Sequence, residues 1–403
     1  MPKKNRALWI LSLIPLVMVL GNSMLIPILP KMGKIFAVSQ FKTSLMITSF
    51  SIAACIFIPL AGFISDRAVR KKVIAGGLIL YGLGGIGAGA AAVFLQSRAY
   101  YAILAFRVLQ GIGASATAPI AMALSSDLFS GSERSHALGI IEASNGMGKV
   151  LSPILGSLLA LISWMAVFWA FPAICLPLAA AVWWGIDEEG NASAKEKPSV
   201  SQYAQDLKKI FHARGLFLAV TFFSAAVTLF VIFGILFYMS NLLEEKYHIT
   251  SLWKGFILAF PLLFMVTTSY LTGKFIKKKI DLMKNLVLIG LILMAFSTGI
   301  AIFFAKTYIL LICLALTGIG AGLILPSLNT LITSSISAAE RGIITALYGS
   351  VRFLGVALGP PLFGLLCKLG GRWVYGVSSA LVVLAAIIVF FGLRKNASSV
   401  SRP

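Results

Sequence analysis

The chain has 403 residues, of which 59% are hydrophobic and only 12% are charged, and its mean hydropathy is +0.95. This composition lies far outside the range of soluble globular proteins and leaves room for about a dozen membrane spans of ~20 residues each. A net charge of +21 would suggest nucleic-acid binding in a soluble protein. In a membrane protein basic loops set the orientation instead, so we expect no nucleic-acid partner.

Twelve apolar runs of helix length follow one another along the chain. They are Ala7–Ile28, Ser44–Phe63, Val73–Phe94, Tyr100–Leu124, Ala137–Leu161, Met165–Trp184, Leu216–Met239, Trp253–Leu271, Leu286–Phe304, Tyr308–Leu331, Gly342–Leu366 and Val374–Phe391. The first run is read as a span, because no small-residue cleavage site ends it as in a signal peptide. Placing both termini in the cytoplasm puts most of the 34 Lys and Arg residues on the cytoplasmic side. The sequence therefore predicts a multi-pass protein of the cytoplasmic membrane with both termini inside.

A polar, turn-rich segment that starts near Asp187 separates the sixth span from the seventh. It predicts an N-terminal six-helix bundle over residues 1–186, a cytoplasmic linker over 187–214 and a C-terminal six-helix bundle over 215–403. Residues Ser199–Phe211 have amphipathic spacing with lysines on the polar face. They form either a short helix on the cytoplasmic leaflet or a disordered linker.

Two stretches of the chain repeat each other at a constant offset of 207 residues. The shared positions are Gln110-Gly-Ile-Gly-Ala with Thr317-Gly-Ile-Gly-Ala, Pro119 with Pro326, Glu133-Arg134 with Glu340-Arg341, Gly148 with Gly355, and Ser152-Pro153 with Gly359-Pro360. No gap is needed to hold this register. Duplicated halves are how many secondary transporters build a central site that opens to either side of the membrane.

Three local motifs lie on or between the first-half spans. The loop after span 2 reads Gly62-Phe-Ile-Ser-Asp-Arg-Ala-Val-Arg-Lys-Lys, span 4 contains Arg107-x-x-Gln-Gly, and span 5 contains Gly148-x-x-x-Ser-Pro-x-x-Gly. These motifs resemble those of the major facilitator superfamily, and the third resembles the motif of its twelve-span drug/proton antiporters. The resemblance implies an all-α integral membrane fold, in which twelve transmembrane helices form two pseudo-symmetric six-helix bundles.

Two departures from the family pattern stand out. Val69 replaces the loop glycine, so this turn must form without a residue that readily takes positive φ. The second-half copy of the loop, residues 273–279, lacks the aspartate, so the first half alone is expected to carry a closing latch.

The resemblance implies that Gly62, Asp66, Arg70 and Asp127 form a conformational latch. In that interpretation Asp66 binds the N-terminal dipole of span 11 and Arg70 binds Asp127, which locks the two halves in the outward-facing state. The alternative is a set of solvated loop charges that only fix topology. Small residues of the span 5 motif and their repeat mates are expected to bring helix backbones close, against the opposite half. These packing residues are Gly148, Ser152, Pro153, Gly156, Gly355, Gly359 and Pro360.

Charges in the hydrocarbon zone are costly and usually face a cavity. The candidates for the cavity and for proton coupling are Arg107, Gln110, Glu142, Asn145, Lys149 and Arg352. Glu142, Asn145 and Lys149 lie on one face of span 5. Glu142 is the only acid within a span, and it is either a proton carrier or half of a structural ion pair. Arg107 matches the arginine that the family requires for function.

The sequence thus predicts proton-coupled efflux of drugs or other amphipathic small molecules by alternating access. The alternatives are a dedicated exporter or flippase for one metabolite, sugar or lipid-linked substrate and, less favoured, a non-transporting membrane receptor. Three bases against one acid in the spans favour neutral, zwitterionic or anionic cargo. An enzyme is disfavoured, because no metal cluster, nucleophile triad or phosphate loop is present in the sequence. We expect no metal and no cofactor other than the proton gradient, and a monomer whose partners are substrate, protons and membrane lipids.

Overall fold

The computed structural model describes residues 3–188, 200–249, 251–276, 280–304, 307–335 and 341–395. These ranges contain fourteen α-helices, and the first eight precede the polar segment. The first eight are α1 (Lys3–Ser23), α2 (Leu29–Ile35), α3 (Gln40–Ser65), α4 (Arg70–Leu95), α5 (Tyr100–Ser115), α6 (Ala118–Leu128), α7 (Gly131–Ile162) and α8 (Ala166–Gly185). The other six are α9 (Val200–Glu245), α10 (Ser251–Ile276), α11 (Ile280–Phe303), α12 (Thr307–Ser334), α13 (Arg341–Leu366) and α14 (Gly371–Lys395).

Two of the first-half spans are each divided into two helices by proline. Between α1 and α2 the chain forms a 3-10 turn at Ile26–Ile28, next to Pro27 and Pro30. Between α5 and α6 the backbone leaves helical geometry at Thr117 (φ −109°, ψ −92°), two residues before Pro119. Proline lacks the N–H that a continuous helix needs and disfavours helical geometry in the residue before it. Pro326, the repeat mate of Pro119, lies inside a continuous α12.

Twelve helical segments of the described residues are long and apolar enough to cross a membrane, which confirms the predicted number of spans. Large apolar side chains are exposed on many of them, including Trp9, Phe94, Tyr101, Phe303 and Trp373. A water-soluble surface rarely presents so much apolar area, whereas lipid tails solvate it well. The all-α membrane fold is therefore confirmed.

Helix α9 shows how the polar linker enters the second half. It starts at Val200, and its only non-helical position is a kink at Arg214 (φ −135°, ψ 22°). Of the two possibilities for Ser199–Phe211, the helix is the one observed from Val200 onwards. That this helix lies on the cytoplasmic leaflet stays a prediction.

The chain forms two compact units. The first contains Met1–Lys197 together with Leu236–Ala259, and the second contains Pro198–Ile235 together with Phe260–Pro403. Within the first unit α4 packs on α5 and α8, and α1 packs on α7. Within the second unit α11 packs on α12 and α14. The domain boundaries expected from the sequence, at 186 and 215, stay a prediction.

The duplicated glycines make the same kind of contact in each unit. A side chain at Gly148 of α7 would meet the backbone of Leu16 in α1, at 3.1 Å from its Cα and its carbonyl oxygen. At the repeat mate, Gly355 of α13, a side chain would meet the backbone of Ala226 in α9. The sequence repeat thus corresponds to a repeated close packing of helix backbones.

Candidate functional site

Three charges cluster where α3 is followed by α4: Asp66 just after α3, Arg70 at the start of α4 and Asp127 near the end of α6. The Arg70 guanidinium lies 3.1 Å from a carboxylate oxygen of Asp66 and 3.3 Å from one of Asp127. Arg70 is mostly buried, with 20% of its side chain exposed, whereas both aspartates are more than half exposed. Gly62 lies in the last turn of α3, and its carbonyl accepts from the Asp66 amide at 3.1 Å. The four residues predicted for the latch therefore lie together.

Burial is the main influence on the titration of Asp66, which lies just beyond the second span. It raises the pKa of this carboxyl above its ordinary value. The neighbouring Arg70 and Arg67 work in the opposite direction, and the negative charge of Asp127 raises the pKa a little further.

Val69 explains how this loop forms without its usual glycine. The residue has an extended backbone (φ −64°, ψ 113°), a conformation that any L-residue adopts. It occupies the N-cap of α4 but gives no side-chain hydrogen bond to the first turn. The lost glycine is therefore no obstacle to the turn, whereas the N-terminus of α4 needs an acceptor from elsewhere.

Glu188 supplies that acceptor, and sequence reasoning missed it. Its carboxylate accepts from the backbone amide of Arg70 at 3.1 Å and from that of Lys71 at 2.8 Å. A carboxylate at a helix N-terminus also interacts favourably with the helix dipole. Nearby, the Lys71 ammonium donates to the carbonyl of Ile186 at 3.0 Å. The end of α8 is thus bonded to the start of the helix that carries Arg70.

Arg107 lies at the centre of the first unit, with no exposed surface. Its guanidinium donates to the carbonyl of Met46 in α3 at 2.9 Å and to that of Gly21 in α1 at 2.7 Å. It also donates to the side-chain oxygen of Gln110 at 2.8 Å and lies over the ring of Phe50, 4.5 Å from its centre. Each nitrogen of the guanidinium thus has an acceptor, and these hydrogen bonds link α1, α3 and α5.

Gln110 is the second predicted polar residue of this span and is equally buried. Its amide oxygen accepts from Arg107, while its amide nitrogen has no hydrogen-bond partner in the described part of the chain. An orphaned buried donor is unusual.

The polar residues on one face of α7 differ in how much of each side chain is exposed. Glu142 is exposed, and Asn145 and Lys149 are half-buried. Glu142 forms no ion pair with any residue that the structure describes. The structural-pair alternative for Glu142 therefore has no partner here, and the proton-carrier role stays a prediction.

Arg352, at the repeat position of Asn145, lies in the second unit. It is half-buried, and its guanidinium carbon is 5.6 Å from the centre of the Tyr348 ring. Its Nε is buried and finds no acceptor among the described residues. A buried cationic donor without a partner is suited to an oxygen-bearing ligand.

The glycines of the span 5 motif allow close packing of the backbone, and that this motif packs against the opposite half stays a prediction. A side chain at Gly148 would meet the backbone of Leu16 in α1, and one at Gly156 would meet the backbone of Met24, just after α1. Ser152 stays within α7, where its hydroxyl donates to the carbonyl of Gly148 at 2.7 Å. Helical spacing identifies a face of small residues in the sequence, but it does not identify the neighbour that covers that face. A different side of α7, at Pro153, approaches Gly255 of α10.

In the second unit the repeat mates of the span 5 motif also allow close packing of helix backbones. A side chain at Gly359 would lie 2.6 Å from the carbonyl oxygen of Phe230 in α9. Pro360 is buried inside α13. Among the described residues, no group of three or more His, Cys, Asp or Glu is placed to hold a metal ion.

The family model described as the Major Facilitator Superfamily matches residues 11–284 and 280–403. The bacillibactin exporter of Bacillus subtilis (strain 168) is 44% identical over 385 residues, which cover 94% of this chain and 94% of that protein. The multidrug efflux protein YfmO of the same strain is 24% identical, over 96% of this chain and 91% of its own length.

Solved structures agree on the architecture. A bacterial homologue of the human lysosomal transporter Spinster, in an inward-facing and occupied conformation, matches with a TM-score of 0.76 at 17% identity. The match covers 98% of this chain and 97% of that one. A D-xylose–proton symporter matches with a TM-score of 0.73 at 15% identity, over 96% and 97% of the two chains. At these identities the likeness shows the fold alone.

Proposed function

The chain belongs to the Major Facilitator Superfamily of membrane transporters, and we propose that it exports bacillibactin or a compound of closely similar chemistry. The observation that carries this proposal is the 44% identity to a bacillibactin exporter across 94% of both chains. This supports the alternative of a dedicated exporter better than general drug efflux, for which the support is a relative at 24% identity.

The charges inside the spans fit such cargo. Arg107 is committed to protein acceptors, whereas the Arg352 side chain keeps an unpartnered Nε beside an aromatic ring. Lys149 adds a second half-buried cation. Basic groups of this kind attract oxygen-rich neutral or anionic molecules rather than cationic drugs.

Transport in this proposal proceeds by alternating access across the cytoplasmic membrane, with the termini in the cytoplasm. The Asp66–Arg70–Asp127 cluster acts as the latch on the cytoplasmic side. Glu142 is the candidate proton carrier, because it is the one acid embedded in a span and has no ion-pair partner among the described residues. The proton gradient is the proposed driving force.

A Bacillus subtilis strain that lacks its own bacillibactin exporter provides the direct test. We expect expression of this chain to restore bacillibactin in the culture medium, and expression of the Asp66→Asn variant to fail despite equal protein in the membrane. Extracellular bacillibactin that stays at the empty-vector level, with the wild-type chain present in the membrane, would refute the proposed substrate.

Proton-coupled multidrug efflux is the second candidate, because YfmO matches 96% of this chain. The two candidates separate in inverted vesicles that are energised by a pH difference. Uptake of bacillibactin that excess drug does not inhibit favours the dedicated exporter. Uptake of several unrelated drugs, with mutual inhibition, favours the multidrug protein.

A further inference from the structure

An apolar groove runs along the first unit between α3 and α4. Helix α5 packs on both of these helices, whereas α3 and α4 scarcely touch each other. The groove therefore has α5 as its floor and the other two helices as its walls. Its volume is about 170 Å³, and its lining includes Leu60 and Ile64 of α3, Gly76 and Leu80 of α4, and Ile112 of α5.

Two neighbouring glycines of α4 differ in what they do for this groove. A side chain at Gly77 would lie 2.7 Å from the Cβ of Ala116 and 2.8 Å from the carbonyl oxygen of Gly113, so close packing on α5 requires glycine there. A side chain at Gly76 would meet nothing within 4 Å. Glycine is a poor helix former, and no contact in the described part of the chain requires it at position 76. What the missing side chain of Gly76 provides is open space in the groove.

The shape and position of the groove suit a lipid acyl chain. It follows α3 from Phe57 to Ile64, a rise of ~10 Å along the helix axis. Both walls belong to membrane spans, and Leu60 and Ile64 are about half exposed, so the groove is open along its side. A water molecule has a share of ~30 Å³ in the liquid and a methylene group is of similar size, so 170 Å³ holds about six methylene groups. Acyl chains are what the hydrocarbon core of a bilayer presents to such an opening.

A lysine stands at the end of the groove where α4 begins. Lys72 precedes Gly76 by four residues, so both lie on the same face of α4. Side chains on a helix lean towards its N-terminus, which places the Lys72 ammonium on the membrane-surface side of the groove. Lys72 is exposed and forms no ion pair with a residue of the described ranges. Its neighbours Arg70 and Lys71 are engaged with other groups of the protein.

We propose that the groove between α3 and α4 binds one acyl chain of an anionic phospholipid, whose phosphate is bound by Lys72. The apolar walls and the open space at Gly76 take the chain, while the ammonium attracts the phosphate as a point charge. The combination of a groove and a cation distinguishes this place from the rest of the lipid-exposed surface. Lipid binding here is independent of the exported cargo, and no step of its test measures transport.

Filling the groove tests where the acyl chain lies. Native mass spectrometry of the purified protein in detergent measures its affinity for phosphatidylglycerol. We expect Gly76→Leu, whose side chain occupies the groove, to lower the affinity for the first phosphatidylglycerol several-fold. Gly376→Leu in α14, where a side chain likewise meets nothing within 4 Å, is the matched control and keeps the wild-type affinity. Leucine is the better helix former, so both variants are expected to unfold at or above the wild-type Tm. Wild-type affinity in a folded Gly76→Leu variant would overturn the groove as the site.

Removing the cation tests the headgroup. We expect Lys72→Gln to lower the affinity for phosphatidylglycerol several-fold and to leave that for phosphatidylcholine with the same acyl chains unchanged. Lys31→Gln, which removes an exposed charge from α2, is expected to change neither affinity. An undiminished preference for phosphatidylglycerol in Lys72→Gln would overturn the assignment of the phosphate to this lysine.

Photolabelling of the wild-type chain tests the same site without any substitution. The probe is phosphatidylglycerol with a diazirine near the end of one acyl chain, and the adducts are located by peptide mass spectrometry. We expect them in the groove segments 57–64, 73–80 and 112–116. Adducts spread evenly over the exposed faces of all spans would overturn the proposal. A native mass of two chains, with the groove segments unlabelled, would overturn it in favour of a second copy as the occupant.

Discussion

Replacing Arg107 by lysine separates a structural role for this residue from a transport role. The guanidinium joins α1, α3 and α5 through the carbonyls of Gly21 and Met46 and the side chain of Gln110. An ammonium is a compact donor on a flexible stem and cannot reach three acceptors that lie in different directions. We expect the lysine variant to keep one of the three bonds and to lose two.

The size of the effect follows from the environment of these bonds. Hydrogen bonds between membrane helices contribute about 0.6 kcal/mol on average and up to ~1.7 kcal/mol each. Two lost bonds therefore cost about 1–3 kcal/mol in the free energy of unfolding. For a unit of ~200 residues each kcal/mol lowers the Tm by about 2–4 °C. The contact between the guanidinium and the Phe50 ring weakens as well, and this lowers the free energy of unfolding further.

Thermal unfolding in detergent and transport in vesicles, measured on the same preparation, decide between the roles. If Arg107 is mainly a link between helices, Arg107→Lys lowers the Tm by several degrees and lowers transport with it. If it mainly serves substrate or protons, transport falls while the Tm stays at the wild-type value. Arg98→Lys, the same exchange at an exposed position, controls for the chemistry of the substitution. A lysine variant with unchanged Tm and full transport would refute both roles.

Four further outcomes are expected. Asp66→Asn abolishes vesicle transport with a normal amount of membrane protein, because Arg70 loses a charged partner; full transport would remove the latch assignment. Glu188→Ala lowers both Tm and transport, since it leaves two amides at the start of α4 without their acceptor, and Glu188→Gln recovers part of each. Glu142→Gln still exchanges substrate down its gradient but no longer accumulates it when a pH difference is imposed; undiminished accumulation would place coupling elsewhere. Gly156→Ala lowers the amount of folded protein in the membrane because its side chain would meet the backbone of Met24, whereas Gly139→Ala on the same helix, where nothing lies within 4 Å, does not.

The sequence predicted the span number and the fold well, because both depend on hydropathy along the chain. A span can be recognised from about 20 consecutive residues. Within the membrane these residues form a helix, because a helix satisfies their backbone hydrogen bonds internally. The latch residues Asp66, Arg70 and Asp127 were predicted through the family resemblance. No periodicity in the sequence brings Asp127 next to a loop that lies more than fifty residues earlier.

Contacts that depend on tertiary structure were beyond sequence reasoning. Glu188 is one of three consecutive acids at the start of the polar linker, and its sequence position does not reveal that its partners are backbone amides. Glu244 and Lys254 lie at the ends of two apolar runs, and nothing in the sequence marks them as a buried ion pair. Their burial depends on how α9, α10 and α2 meet, which composition does not report. A usable signal did exist for Glu188, since Val69 is a poor N-cap and α4 needed an acceptor from elsewhere.

The two halves share their packing but not their polar chemistry, and this difference bears on how the transporter works. The repeat mate of Arg107 is Leu314, so the second half has no guanidinium at this place. At the repeat mate of Gln110, the Thr317 hydroxyl instead lies 2.8 Å from that of Ser297 and donates to the carbonyl of Cys313 at 2.8 Å. Hydroxyl bonds of this kind link neighbouring helices one pair at a time, whereas Arg107 links three at once. Asp66, the acid predicted for the latch, also lacks a counterpart in the second-half copy of the loop. Close glycine packing is therefore common to both halves, whereas the buried guanidinium that links three helices belongs to the first half.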